Sequence, residues 1–144
     1  MQTIELVNRQ RKRKINREFL IDFSEKVVRT VAEAKNKSLT IAFVSDKKMR
    51  ELNKSFRSVN STTDVLSFPF EAEDFESEED NLGDIIISVE QAQKQAIENN
   101  LDFETEIKQL VLHGVLHLCG YDHETDNGEM NELELQFRRK LKIN

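Results

Sequence analysis

Ile85, Ile86, Ile87 and Val89 form an apolar, β-branched run interrupted only by Ser88, the composition of a central strand in a sheet. Ser88, with Gln91 three residues later, has the form of a capping box that opens a helix running towards Asn99. Residues 39–44 read as a second buried strand. Residues 3–8 alternate Ile4 and Leu6 with polar residues, the pattern of an edge strand. Residues 65–70 are β-branched and aromatic, and Pro69, which donates no ladder hydrogen bond, suits a strand end or a sheet edge.

Between these strands the apolar period changes. Leu20, Phe23, Val27, Val31 and Ala34 recur at three- and four-residue steps and predict one helix over residues 16–35. Ser45 or Asp46 can cap a short helix through Met49 and Leu52 to Arg57. Asp102 can cap another, with Ile107, Leu110, Val111 and Leu118 along one side and Gly120 where a helix commonly ends in the left-handed conformation. A last helix carries Met130, Leu133, Phe137 and Leu141 after cap signals at Thr125 and Asp126. Four strands among about five helices predict an α+β (mixed α/β) fold, a four-stranded sheet covered mainly by helices. At 144 residues, with one Pro and four Gly, a single domain spanning residues 1–144 is expected.

Cys119 is the only cysteine, so no intrachain disulfide is possible. The first residues lack a signal-peptide pattern, and no apolar run approaches the roughly 20 residues that cross a bilayer. A cytoplasmic protein with no membrane role is expected. Gly-rich phosphate loops of the Walker or dinucleotide type are absent. The net charge of -6 argues against a protein that coats nucleic acid by global attraction. Charge is uneven, however: Arg9, Arg11, Lys12, Arg13 and Lys14 form one basic cluster, and Arg138, Arg139, Lys140 and Lys142 form another. Seven acids crowd residues 71–80. Each cluster reads either as a solvated face or, for the basic pair, as a nucleic-acid contact, and charge alone does not choose.

All three histidines lie at His113, His117 and His123. His113 and His117 are four apart on a predicted helix, so their rings leave one face a turn apart and can reach a common ion. Gly120 lets the chain reverse and bring in His123 as the third ligand. Three imidazoles leave the fourth tetrahedral position of one zinc ion to water or substrate, the arrangement of a hydrolytic site at the end of a central helix. The spacing is that of the metzincin proteases, but Gly114 stands where that class has its glutamate base. Zinc lowers the pKa of bound water to about 7, which makes the missing base tolerable. The plain alternative is ordinary helix and loop histidines, against which three at ligand spacing beside a turn glycine weigh in favour of a metal. Cys119 points to a different helix face and reads as packing, while Tyr121 and Asp122 either orient a ligand or serve the turn.

The segment His113-Gly-Val-Leu-His117-Leu-Cys-Gly120-Tyr-Asp-His123 closely resembles the signature of the YbeY family of bacterial ribosomal-RNA maturation endoribonucleases. Asn53-Lys-Ser-Phe-Arg57, Thr63-Asp-Val-Leu-Ser-Phe-Pro69 and Leu82-Gly-Asp-Ile85 resemble its other blocks in the same order, so the similarity spans about half the chain. The resemblance implies a single-strand-specific endoribonuclease with one zinc on the three motif histidines. It would act in maturing the 3′ end of small-subunit (16S) ribosomal RNA and in ribosome quality control. An invariant arginine of the family falls on Arg57, which with His113 is the expected catalytic pair. A guanidinium there can clamp a scissile phosphate and stabilise charge on its oxygens, whereas its bland reading is a solvated helix-end charge. The implied partners are single-stranded rRNA, the small ribosomal subunit and one of its proteins, and an Era-type GTPase. Asp84 is a candidate partner contact, or simply a strand-start turn residue.

Ser58, Asn60 and Thr62 stand where the family commonly has Gly, Asp and Pro, which predicts a less rigid loop after Arg57. The acidic stretch at 71–80 would repel an RNA backbone unless it folds away. Two further readings accompany the nuclease. One is a zinc peptidase, supported by the spacing and opposed by Gly114. The other is a non-catalytic ribosome-assembly factor whose structural zinc takes a fourth ligand such as Asp122 or Cys119.

Overall fold

The chain runs through β1 (Ile4–Asn8), α1 (Arg17–Thr30), a 3-10 turn (Ala32–Ala34), β2 (Ser38–Val44) and α2 (Asp46–Arg57). It continues through β3 (Val65–Pro69), β4 (Asn81–Ser88), α3 (Val89–Glu98), α4 (Phe103–Leu118) and α5 (Glu129–Lys140). This is a computed structural model, and it describes residues 3–70, 81–121 and 128–143. The strands form one mixed sheet in the order β1-β2-β4-β3, with β1, β2 and β4 parallel and β3 antiparallel to β4. The expected α+β architecture is therefore present. The isoleucine run lies in an interior strand, and Pro69 closes a strand at the sheet edge, where its missing N–H costs no ladder bond.

Strand alternation divides the sheet into two faces. Ile4, Leu6, Leu39, Ile41, Phe43, Ile85 and Ile87 share the main core with residues of α1, α3 and α4. Ile85 and Ile87 are fully buried there, and burying a side chain of that size contributes roughly 1.5–3 kcal/mol. The alternate residue, Ile86, turns to the other face, where Val44, Leu66 and Phe68 meet Met49 and Leu52 of α2. Hence α4 and α2 lie on opposite faces of the sheet.

The side-chain caps read from the sequence form, but the Ser88–Gln91 box is only half made: the Gln91 side chain donates to Asp46 and the Ser88 N–H donates to the Asp64 carbonyl. Ser45 accepts from the Lys48 N–H at 3.2 Å, Ser88 from Gln91 at 3.3 Å, and Asp102 from Thr105 at 2.7 Å. Three expectations need correction. The helix predicted over residues 16–35 ends at Thr30, where Val31 turns extended, and the 3-10 turn follows. Val31 and Ala34 stay fully buried through the change, so the apolar spacing conceals it. Second, β4 starts at Asn81, well before the predicted residue 85, because Leu82 and Gly83 also pack inward. Third, α4 is not apolar along one side only: Phe103, Ile107, Leu110, Leu112, Gly114, Val115, Leu116 and Leu118 surround most of it with buried residues. The predicted cap signals Thr125 and Asp126, and the acidic stretch at 71–80, lie outside the described residues.

Candidate functional site

With the sheet beneath α4 and helices beside it, Gln109, His113 and His117, spaced by four, are the residues of its second half, 109–118, that stay partly exposed. The two imidazole rings lie with centres 4.5 Å apart and planes tilted by 58°. Two imidazoles bound tetrahedrally to one zinc at about 2.0–2.1 Å have ring centres roughly 5 Å apart, so the pair is close to the separation a shared ion requires. Among the described residues no group of three His, Cys, Asp or Glu side chains is arranged to hold a metal ion. The expected third ligand, His123, lies outside the described residues, as does Asp122. The two rings that are described fit a zinc donor set by chemistry and by spacing.

The chain is turned towards His123 by a defined helix end. The Gly120 N–H donates to the His117 carbonyl at 3.0 Å and the Tyr121 N–H to the Leu116 carbonyl at 3.1 Å, with Gly120 at φ 98°. These are the two bonds of a Schellman motif, and its left-handed residue is the glycine that the sequence marked. The Tyr121 hydroxyl donates to the Glu33 carboxylate and ties this exit to the turn after α1. That bond, first among the causes, pushes the Tyr121 hydroxyl pKa up. Cys119 packs against the core, and burial, assisted by Glu33, raises its thiol to about 11. At neutral pH such a thiol stays protonated and is a poor nucleophile, which agrees with the packing role read from its helix position.

A side chain at position 114 would not join the histidines. A Cβ built there falls 2.7 Å from Cδ1 and 2.9 Å from Cγ1 of Ile85, so the position faces the central strand. Gly114 permits the close approach of α4 to β4, and a glutamate could not act from it.

Sequence reasoning missed Glu134, which α5 brings to the pair. The Glu134 carboxylate lies 2.5 Å from His113 Nδ1 and is only 7% exposed. Arg138, one turn on, reaches the other carboxylate oxygen at 3.5 Å. One member of the second basic cluster is thus engaged in an ion pair with Glu134. The available signal was position: Glu134 follows Leu133 on the helix whose apolar residues pack against the core.

Arg57 is the last residue of α2, exposed, and across the sheet from α4. Its neighbour Phe56 packs edge-to-face on Phe68, with ring centres 5.3 Å apart. Phe68 pairs with Asp84, beside the Ile85 that faces Gly114. Arg57 and the histidines therefore sit on elements that cover opposite faces of the sheet, α2 and α4. The loop that follows Arg57 is anchored despite lacking the Gly, Asp and Pro of the resembled family. The Asn53 side-chain amide donates to the Ser61 carbonyl at 2.9 Å, and the Thr62 hydroxyl donates to Asp46. Ser58 takes the left-handed conformation itself, at φ 58°. These contacts tie the loop to both ends of α2.

The family profile described as Endoribonuclease YbeY matches residues 5–142 of this chain. Endoribonuclease YbeY of Clostridioides difficile strain 630 is 46% identical over 113 residues, which covers 75% of this chain and 74% of that protein. Its counterpart in Thermodesulfovibrio yellowstonii is 37% identical over 97% of this chain and 98% of its own length. The solution structure of TM1509 from Thermotoga maritima is similar at a TM-score of 0.65 and 30% identity, covering 96% of this chain and 88% of that one.

Proposed function

This chain belongs to the YbeY family of endoribonucleases, and we propose that it is a zinc-dependent, single-strand-specific member acting on small-subunit rRNA. The observation that carries the reading is the pair of imidazoles 4.5 Å apart on the partly exposed stripe of α4. His113, His117 and His123 would hold one zinc, which when bound supplies Lewis acidity and lowers the pKa of water. Arg57 would grip the scissile phosphate through two parallel N–H donors and stabilise the charge that gathers on its oxygens. Either water or the RNA 2′-hydroxyl attacks phosphorus. A 2′,3′-cyclic phosphate on the product marks the second, and a free 3′-hydroxyl or simple 3′-phosphate marks the first.

RNA binding by a chain of net charge -6 needs local positive charge. Lys47, Arg50, Lys54 and Arg57 recur at three- and four-residue steps on α2, all exposed, and form a basic stripe about 15 Å long that ends at the proposed clamp. The biological role we assign is maturation of the 16S rRNA 3′ end and ribosome quality control in the cytoplasm. Its partners would be the small subunit, one of its proteins and an Era-type GTPase. Asp84, exposed on the sheet face away from α4, is the candidate contact. No helix among the described residues is long and apolar enough to cross a membrane. The peptidase reading loses support at Gly114, where the sheet leaves no room for a base.

Elemental analysis beside cleavage of a single-stranded rRNA fragment tests the proposal. Wild type should carry about one zinc per chain. His117→Ala should lose metal and activity, while Arg57→Ala should keep metal and lose activity by about 100-fold or more. Tightly held zinc with intact RNA in every case would instead favour a structural metal in an assembly factor.

A further inference from the structure

A buried carboxylate is costly unless it is paired, and Glu134 meets that requirement through His113 and Arg138. The ring nitrogen it contacts matters. A neutral imidazole carries one proton, and a carboxylate 2.5 Å from Nδ1 holds that proton on Nδ1. Nε2 then presents a lone pair, along a direction fixed by the same hydrogen bond. From this geometry we infer that Glu134 is a positioning residue of the metal centre, selecting the tautomer and ring orientation in which His113 binds zinc through Nε2. The inference rests on the zinc reading above and adds a residue of α5 to it.

Glu134 touches neither substrate nor metal in this role. Its contribution passes through His113, as outer carboxylates act on ligating histidines generally, where their removal typically costs 10–100-fold in metal affinity or activity. Arg138 supports the arrangement by holding the second carboxylate oxygen at 3.5 Å, which fixes the orientation of the group. The contact joins α4 to α5 across 21 residues of sequence, so it also couples the seating of α5 to the site.

The test has two readouts apart from activity. Long-range proton–nitrogen NMR on the metal-free wild type, with the ring neutral, should show His113 protonated at Nδ1. A proton on Nε2 overturns the inference without recourse to any variant. Chelator competition then measures zinc affinity. Glu134→Ala should weaken it about 10–100-fold and release the tautomer preference, with the circular dichroism spectrum retained. Glu134→Gln, whose carbonyl still accepts from Nδ1–H, should keep the tautomer and lose less affinity than the alanine variant. It carries the comparison if Glu134→Ala fails to fold. Wild-type binding with variant affinities within twofold of it would remove Glu134 from the metal centre and leave the zinc reading intact. Failure of wild type to bind zinc would remove both.

Discussion

Ser58 terminates α2 at φ 58°, a conformation that costs an L-residue roughly 1–2 kcal/mol and glycine much less. Because glycine also loses more chain entropy on folding, Ser58→Gly should stabilise the protein by only about 0.5 kcal/mol. Gly114 is the opposite case. A methyl there must displace the Ile85 side chain in a close-packed core, so Gly114→Ala should destabilise by about 1–3 kcal/mol despite its better helix propensity. Thermal unfolding of the two variants beside wild type should move the midpoint in opposite directions. A stabilised Gly114→Ala would show that α4 stands further from β4 than the contact requires.

At the scale of elements, Asp46 binds four segments together. Its carboxylate accepts from the Ser88 hydroxyl at 3.0 Å, from Gln91 Nε2 at 3.1 Å and from the Thr62 hydroxyl, and its own N–H donates to Glu90 at 2.9 Å. The start of α2, the loop before β3, the end of β4 and the start of α3 meet there. Burial is the largest single influence on its pKa and pushes it up, but the three hydrogen bonds with the charge of Arg50 outweigh it and hold the pKa below the usual 3.8. The unfolded chain therefore takes up this proton more readily than the folded one. The stabilisation is fully present above pH 3.8 and is lost as pH falls through the lower folded value. Asp46→Asn should lower the urea midpoint at pH 7, and its gap to wild type should narrow below pH 3.8. A gap that stays constant with pH would assign the effect to shape and not to charge.

For the whole molecule the telling quantity is the distribution of charge. A net -6 repels a polyanion at long range, while the α2 stripe attracts it locally. If the stripe carries RNA, Lys47→Glu with Lys54→Glu should raise KM while leaving kcat nearly unchanged. The salt dependence of binding should become shallower by about 0.7 in log-log slope for each phosphate that the variant no longer neutralises. An unchanged slope would move the RNA path off α2, towards the cluster around Arg13, whose guanidinium lies 4.4 Å from the Phe103 ring centre.

Legible in the residues alone were the order of the strands and α-helices, three helix caps, the Gly120 helix end and the placement of His113 and His117 on one helical face. All of these depend on residues within a few positions of one another, where period, cap chemistry and φ preference act. The boundaries it misplaced, at Val31 and Asn81, lie where burial continues after the backbone geometry has changed or begins before the β-branched run does. That Glu134 stands behind His113, that Gly114 faces Ile85, and that α2 and α4 occupy opposite faces of the sheet came from the folded chain alone. Those relations follow from strand order and from the packing of distant helices. No local pattern encodes them, because each is settled by which apolar surfaces can be buried against one another at once.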